Sequence, residues 1–197
     1  MSDTPSRSGN AKSRAAALSH LRRASLKKGD SIPLPLTMAA VFHAPGDATG
    51  FHQYGRFSNP TWDAVEHMIA HMEDAPCVGF PSGMGAISAV FFALLQAGDR
   101  VLIASDGYPT TRGIGDRFLK KFGVEYDTRP TATFLDGGFA GYKLAFMETP
   151  SNPGLDICDI AAVAKAAHAA GALLVVDNTT MTLLGQRPLD FGEPCCG

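Results

Sequence analysis

The sequence predicts an α/β fold, a mostly parallel sheet covered by helices. Three observations carry this. Apolar runs of strand length alternate with stretches whose apolar residues recur at helical spacing. Glycines close the helical stretches just before the next run begins. The runs are continuously apolar, as in strands buried on both faces. With 197 residues, 45% of them hydrophobic, the chain has ample material for a core.

The first part of the chain is uneven. A Ser- and basic-rich start leads into Ser31 to His52, a stretch broken by Pro33, Pro35, Pro45 and several glycines. Residues 1–53 therefore read as an extended arm, which cannot build its own core and lies across another subunit or domain. From Thr61 the pattern becomes regular. Thr61 caps a helix to about Met72, with Val65, Met68, Ile69 and Met72 on one face. Cys77–Phe80 reads as a short strand, Met84–Gln96 as a helix, and Arg100–Ala104 as a strand after the Gly98-Asp99 stop. A helix from about Thr110 to Phe122 ends at Gly123, where a left-handed residue is wanted, and Val124–Tyr126 is a short strand. Lys143–Glu148 is the next strand. Asp156 or Asp159 then caps a helix with an Ile160, Val163, Ala164 and Ala167 stripe. Gly171 closes that helix before the strand Ala172–Val176, which ends at Asp177.

Composition excludes several classes. A formal charge of -2, a pI near 6.3 and no basic run beyond Arg22-Arg23 and Lys27-Lys28 give no footprint for nucleic acid or an acidic membrane. No apolar stretch reaches the ~18 residues of a membrane span, and the start lacks a secretory apolar core, so the expected location is the cytoplasm. Cys77, Cys158, Cys195 and Cys196 have no zinc-type spacing and read as reduced thiols. His67 and His71 stand four apart, but Met68 replaces the Glu of a zinc peptidase helix; they read as a solvated face, with no metal expected.

The chemistry concentrates after the predicted strands. Asp177 ends an apolar run, where a carboxylate either caps the following turn or meets a cationic group of a ligand. Pro81-Ser82-Gly83-Met84-Gly85-Ala86 is a small-residue turn opening a helix. It is either an ordinary helix start or an anion cradle of backbone N–H groups and a Ser hydroxyl. It is not a P-loop, lacking Gly-Lys-Ser/Thr, nor the dinucleotide fingerprint, lacking the third glycine. Tyr108, in Ser105-Asp106-Gly107-Tyr108-Pro109-Thr110, is either a surface tyrosine or a ring that lies flat on a ligand. Asn152, in Glu148-Thr149-Pro150-Ser151-Asn152-Pro153, is either a turn former or an amide donor. Pyridoxal phosphate needs all four: a cradle for its phosphate, a flat partner for its ring, a donor to O3′, and a carboxylate that keeps the pyridine nitrogen protonated.

Taken with Tyr54-Gly55-Arg56-Phe57-Ser58-Asn59-Pro60-Thr61 and Asp177-Asn178-Thr179, these segments resemble the Cys/Met-metabolism family of pyridoxal-phosphate enzymes, which includes cystathionine lyases and synthases. The likeness runs in order from about Tyr54 to Gly192. It implies the large-domain fold of fold-type I pyridoxal-phosphate enzymes over residues 54–197, here apparently truncated. It implies that Ser82, Gly83 and Met84 hold the phosphate, and that Tyr108 stacks on the ring and can shuttle a proton. Asp177 pairs with the pyridine nitrogen, Thr179 supports the opposite ring face, and Asn152 touches O3′ or the substrate carboxylate. Tyr54 and Arg56 reach the phosphate of a neighbouring subunit's cofactor, so the unit is at least a dimer and, in the family, usually a tetramer.

The resemblance also implies a lysine, in a Ser-x-Thr-Lys setting past the Asp, that binds the cofactor covalently. Lys120, Lys121, Lys143 and Lys165 lack that context, and Pro194 argues against the central strand that would lead there. The lysine segment and a smaller C-terminal domain are expected to be absent, with Glu193–Gly197 foreign to the family, as in a fragment or a prematurely stopped frame. The implied function is a carbon–sulfur lyase of sulfur amino-acid metabolism, of the cystathionine β- or γ-lyase type, inactive as this fragment. The alternatives are γ-replacement on activated homoserine and a non-catalytic remnant. The turn Ser105–Pro109 leans towards the β-lyase form. A nicotinamide- or nucleotide-binding domain suits the fold but not the glycine pattern.

Overall fold

The computed structural model describes residues 26–47, 49 and 52–191, together with Ala16, His20, Leu21 and Arg23. Backbone contacts divide the chain into two compact units, Met1–Gly79 and Phe80–Gly197.

In the first unit, residues 26–47 run without regular helix or strand, and an antiparallel bridge joins Val41 to Tyr54. Helix α1 spans Pro60–Glu73. Its cap is Asn59, not Thr61: Asn59 Oδ1 accepts the Thr61 N–H at 2.8 Å, and Pro60 occupies the first helical position, where it needs no N–H. Asn59 is buried and also donates from Nδ2 to the carbonyls of Thr37 and Ala39 at 3.0 and 3.1 Å, tying the arm to the helix start. The Thr61 hydroxyl accepts the Thr37 N–H instead of capping. Of the predicted apolar stripe only Met72 is fully buried, while Val65 and Met68 are exposed. His67 and His71 are exposed on the solvated face, as expected. Cys77–Phe80 forms no strand. Val78 is exposed and the Gly79 N–H donates to Glu66 Oε1 at 2.6 Å, a side-chain bond in place of a ladder.

In the second unit, β1 (Arg100–Ala104), β2 (Glu125–Arg129), β3 (Leu144–Glu148) and β4 (Leu173–Asp177) form an all-parallel sheet in the order β2-β1-β3-β4. Alternate residues serve opposite faces. Val101, Ile103, Leu144 and Phe146 pack with Phe91 of α2 (Gly83–Leu94), Ile114 of α3 (Pro109–Arg117), Leu119 and Val124. Leu102, Ala104, Ala145, Met147 and Leu174 pack on the other side with Phe134, Phe139 and the Ile160, Val163, Ala164 and Ala167 stripe of α4 (Ile160–Ala169). This is the two-sided burial expected of continuously apolar strands. A short α5, Thr182–Gly185, follows β4.

Local chemistry sets the ends. Asp159, not Asp156, caps α4, accepting the Ala162 N–H at 3.1 Å. The helix predicted to Phe122 stops at Arg117 and tightens into a 3-10 turn, Leu119–Phe122. Gly123 then takes the left-handed conformation at φ 74°, as anticipated. β2 begins later and runs further than predicted, to Arg129. The strand ending at Asp177 differs most. It is an edge strand among the described residues, so Leu174 is buried while Leu173, Val175 and Val176 are half-covered. The expectation of a strand buried on both faces holds for β1 and β3, not for β4. Residues 192–197 lie outside the described residues, and with them the reading of Glu193–Gly197; so do residues 1–15 of the predicted arm.

Candidate active site

The strand order reverses between β1 and β3: the chain leaves β1 for β2 on one side and returns for β3 on the other. In open parallel sheets the crevice beyond the carboxyl ends at such a switch point receives ligands. Here the β1–α3 loop supplies Tyr108 and the segment after β3 supplies Asn152. β4 ends in Asp177, and α2 opens with Ser82, Gly83 and Met84. These residues, with Ile87, Glu148 and Thr179, line one cavity of about 420 Å³. Every predicted site residue of the second unit is therefore in one place.

The cradle follows from helix capping. Ser82 is the N-cap of α2, and its hydroxyl oxygen accepts the Gly85 N–H at 3.0 Å. The first helical N–H groups, those of Gly83 and Met84, are left for a ligand, and the Ser82 hydroxyl hydrogen is still available to donate. Gly83 keeps that approach open: a Cβ there would meet nothing within 4 Å.

Tyr108 precedes α3 and is 43% exposed, on the wall of the cavity. Its main chain is held from behind. The Tyr108 N–H donates to Glu148 Oε2 at 2.5 Å, and the Arg112 guanidinium donates to the Gly107 carbonyl at 2.6 Å. Asp106 Oδ1 accepts the Thr131 N–H and hydroxyl at 2.8 and 2.7 Å, and the Asn152 N–H donates to the Asp106 carbonyl at 3.0 Å. The loops after β1 and β3 are thus bonded to one another.

Asp177 lies in register beside Glu148 on the neighbouring strand. It is half-exposed, and its Oδ1 accepts both the N–H and the hydroxyl of Thr179, at 3.0 and 2.6 Å. Among the described residues no cation pairs with it. An edge strand leaves Asp177 partly hydrated and Thr179 satisfies one oxygen, so burial alone does not require a positive partner there. The following turn is locked by Gln186, whose Nε2 donates to the Thr149 carbonyl at 2.6 Å and to Asn178 Oδ1 at 2.8 Å.

Glu148 is the cavity residue that sequence reasoning left without a role. It is 3% exposed at the end of a central strand. Burial pushes its carboxyl above the usual carboxylate range. Asp177 and Asp106 push the same way, while the Tyr108 N–H and the Asn152 side chain hold it back by hydrogen bonding. A glutamate closing a wholly apolar strand is the signal that could have found it.

Tyr54 and Arg56 belong to the first unit. There the Arg56 guanidinium lies 5.1 Å from the centroid of the Tyr54 ring and 5.7 Å from that of Phe57, so the two predicted residues are adjacent.

Fold and cavity define an α/β domain with its polar groups gathered at the carboxyl ends of parallel strands. The chain belongs to the family of Cys/Met metabolism PLP-dependent enzymes, whose model matches residues 19–194. It is 45% identical over 177 residues to a Streptomyces coelicolor protein named "Putative cystathionine gamma-lyase", covering 85% of this chain and 44% of that protein. It is 41% identical to the O-succinylhomoserine sulfhydrylase of Pseudomonas aeruginosa, covering 79% of this chain and 41% of that one. The crystal structure of cystathionine gamma synthase from Xanthomonas oryzae pv. oryzae in complex with cystathionine superposes with a TM-score of 0.80 at 32% identity, covering 96% of this chain and 49% of that one. The chain thus spans less than half the length of these relatives.

The family's cofactor is pyridoxal 5′-phosphate, and the donor set suits it. Two open N–H groups and a hydroxyl face a glycine-sided space, an aromatic ring stands exposed beside it, and one carboxylate oxygen of Asp177 carries no hydrogen bond from the described residues. No lysine is among the residues lining the cavity.

Proposed function

We propose that this chain forms the cofactor-cradling part of a pyridoxal-phosphate-dependent carbon–sulfur lyase acting on cystathionine or a related sulfur amino acid. The gathering of Ser82, Gly83, Met84, Tyr108, Asn152, Asp177 and Thr179 around one cavity carries this reading. The bound cofactor would supply an electron sink for breaking bonds at the amino acid's α-carbon and beyond. The Gly83 and Met84 N–H groups and the Ser82 hydroxyl hold the phosphate. Tyr108 covers one ring face, where its phenol can also move a proton. The Asp177 carboxylate, oriented by Thr179, accepts the hydrogen bond of the protonated pyridine nitrogen, and Asn152 donates to the ring oxygen.

Elimination is favoured over replacement by the 45% identity to a relative named as a γ-lyase. The Ser105–Pro109 turn leans towards β-elimination, and the sulfhydrylase and synthase relatives keep γ-replacement as the second reading. With no lysine among the cavity-lining residues, the chain on its own holds the cofactor non-covalently and turns nothing over. Tyr54 and Arg56 serve the cofactor of another copy, so the functional state is a homo-oligomer, a dimer or a dimer of dimers, in the cytoplasm.

Thermal unfolding with added cofactors tests the reading. Pyridoxal phosphate at about 100 times its Kd adds ~2.7 kcal/mol, which raises Tm by about 5–10 °C for a chain of this size. Borohydride treatment of the complex leaves no specific lysine adduct. Stabilisation by NAD and not by pyridoxal phosphate would overturn it.

A further inference from the structure

We propose that Glu148 is a positioning residue of this cavity, fixing the Tyr108 main chain beside Asn152 and Asp177 so that all three meet one ring. The inference rests on the cofactor-site reading above and adds to it a group with no assigned role.

Glu148 closes β3, the central strand at the switch point, and is buried where it lines the cavity. The loop after β1 is fastened at Asp106 by Thr131 and at the Gly107 carbonyl by Arg112. The Tyr108 N–H, the last main-chain N–H before Pro109 starts α3, is held by Glu148 Oε2. The carboxylate also abuts the loop directly, because a Cβ on Gly107 would stand 2.8 Å from Oε2 and 3.3 Å from the Glu148 Cβ. Asn152 follows Glu148 in the same segment, lines the same cavity and bonds through its N–H to the Asp106 carbonyl, and Asp177 is the register partner of Glu148 on β4. One side chain therefore touches the segments carrying the ring partner and the amide donor, and stands beside the carboxylate.

This arrangement is unfavourable for folding alone. A buried carboxylate beside Asp177 and Asp106, with no cation against it among the described residues, costs free energy that an apolar side chain would not. A group kept where it destabilises the fold points to a task in the site.

The test uses the full chain and pyridoxine 5′-phosphate, whose alcohol in place of the aldehyde forms no bond to lysine. Affinity is measured by titration calorimetry, and ring placement by the circular dichroism that a fixed environment induces in the ligand. Glu148→Gln keeps the acceptor for the Tyr108 N–H and binds close to wild type with its induced signal intact. Glu148→Ala and Glu148→Asp, the second keeping charge but losing reach, bind about 10-fold or more weakly and lose the signal. Glu148→Asp also serves should the alanine variant fail to fold. Wild-type affinity and signal in Glu148→Ala or Glu148→Asp would overturn the inference while leaving the cofactor site standing. So would loss in Glu148→Gln with retention in Glu148→Asp, which would make charge, not position, the relevant property. A wild-type chain that binds no pyridoxine 5′-phosphate would remove the cofactor-site reading and this inference with it.

Discussion

Gly83 and Glu148 show how single side chains trade stability against a site. Gly83 begins α2 with open space where a Cβ would stand, so Gly83→Ala should leave the melting temperature unchanged or slightly higher, since alanine is the better helix former. On the proposed reading, the added methyl would stand in the open space beside the Gly83 N–H that receives the phosphate. Pyridoxal-phosphate affinity should fall about tenfold, the effect of a mild overpacking at close quarters. Urea melts and calorimetry on the same variant separate the two effects. Glu148 acts through pH. Its carboxyl titrates around 4.5 in an unfolded chain and higher in the fold. Below 4.5 both states hold the proton and nothing is lost. As pH rises through the folded value, the unfolded chain ionises first and wild-type stability falls relative to Glu148→Gln. The stability difference between the two, followed by urea melts across that window, should move against wild type and then level off.

At the scale of elements, α1 depends on its cap. Asn59→Ala removes the bond to the Thr61 N–H and both donations to Thr37 and Ala39, three bonds made by one buried side chain. A loss of about 2–3 kcal/mol is expected, read as a lower urea midpoint in the helical signal. Glycine and alternation made most elements legible in the sequence. Val101 to Ala104 and Leu144 to Met147 face two buried sides, so their composition alone marks strands. β2 was mis-bounded because Glu125, Asp127 and Thr128 are exposed and the apolar signal fades after Tyr126. Thr61 has the residue type of an α1 cap, but sequence cannot show that its hydroxyl is engaged by Thr37, 24 residues away. Cys77–Phe80 looked like a strand by composition, but Glu66 takes the Gly79 N–H. Ser82, Tyr108, Asn152, Asp177 and Thr179, which line one cavity, are legible in the sequence through motif and resemblance. Glu148 is not, because what defines it is a bond to Tyr108 across 40 positions.

At the scale of the whole molecule, the first unit exposes the apolar side chains of Ile32, Leu36, Met38, Val41 and Phe57. The proposed assembly gives Arg56 a role in another chain's site. Arg56→Ala should weaken pyridoxal-phosphate binding at protein concentrations where sedimentation shows a dimer or larger. On dilution to monomer, wild type and variant should bind alike. Equal binding at every concentration would leave Arg56 outside the site. The proposed site depends on the Asp177 carboxylate meeting the cofactor's ring nitrogen, and nitrogen NMR of ring-15N-labelled pyridoxine 5′-phosphate on the full chain reads that atom directly. The bound ring nitrogen should stay protonated in wild type at a pH where the free ligand has lost that proton, and should lose it in Asp177→Asn. A wild-type ring nitrogen that titrates as it does in free solution, or one indifferent to the substitution, would contradict the account.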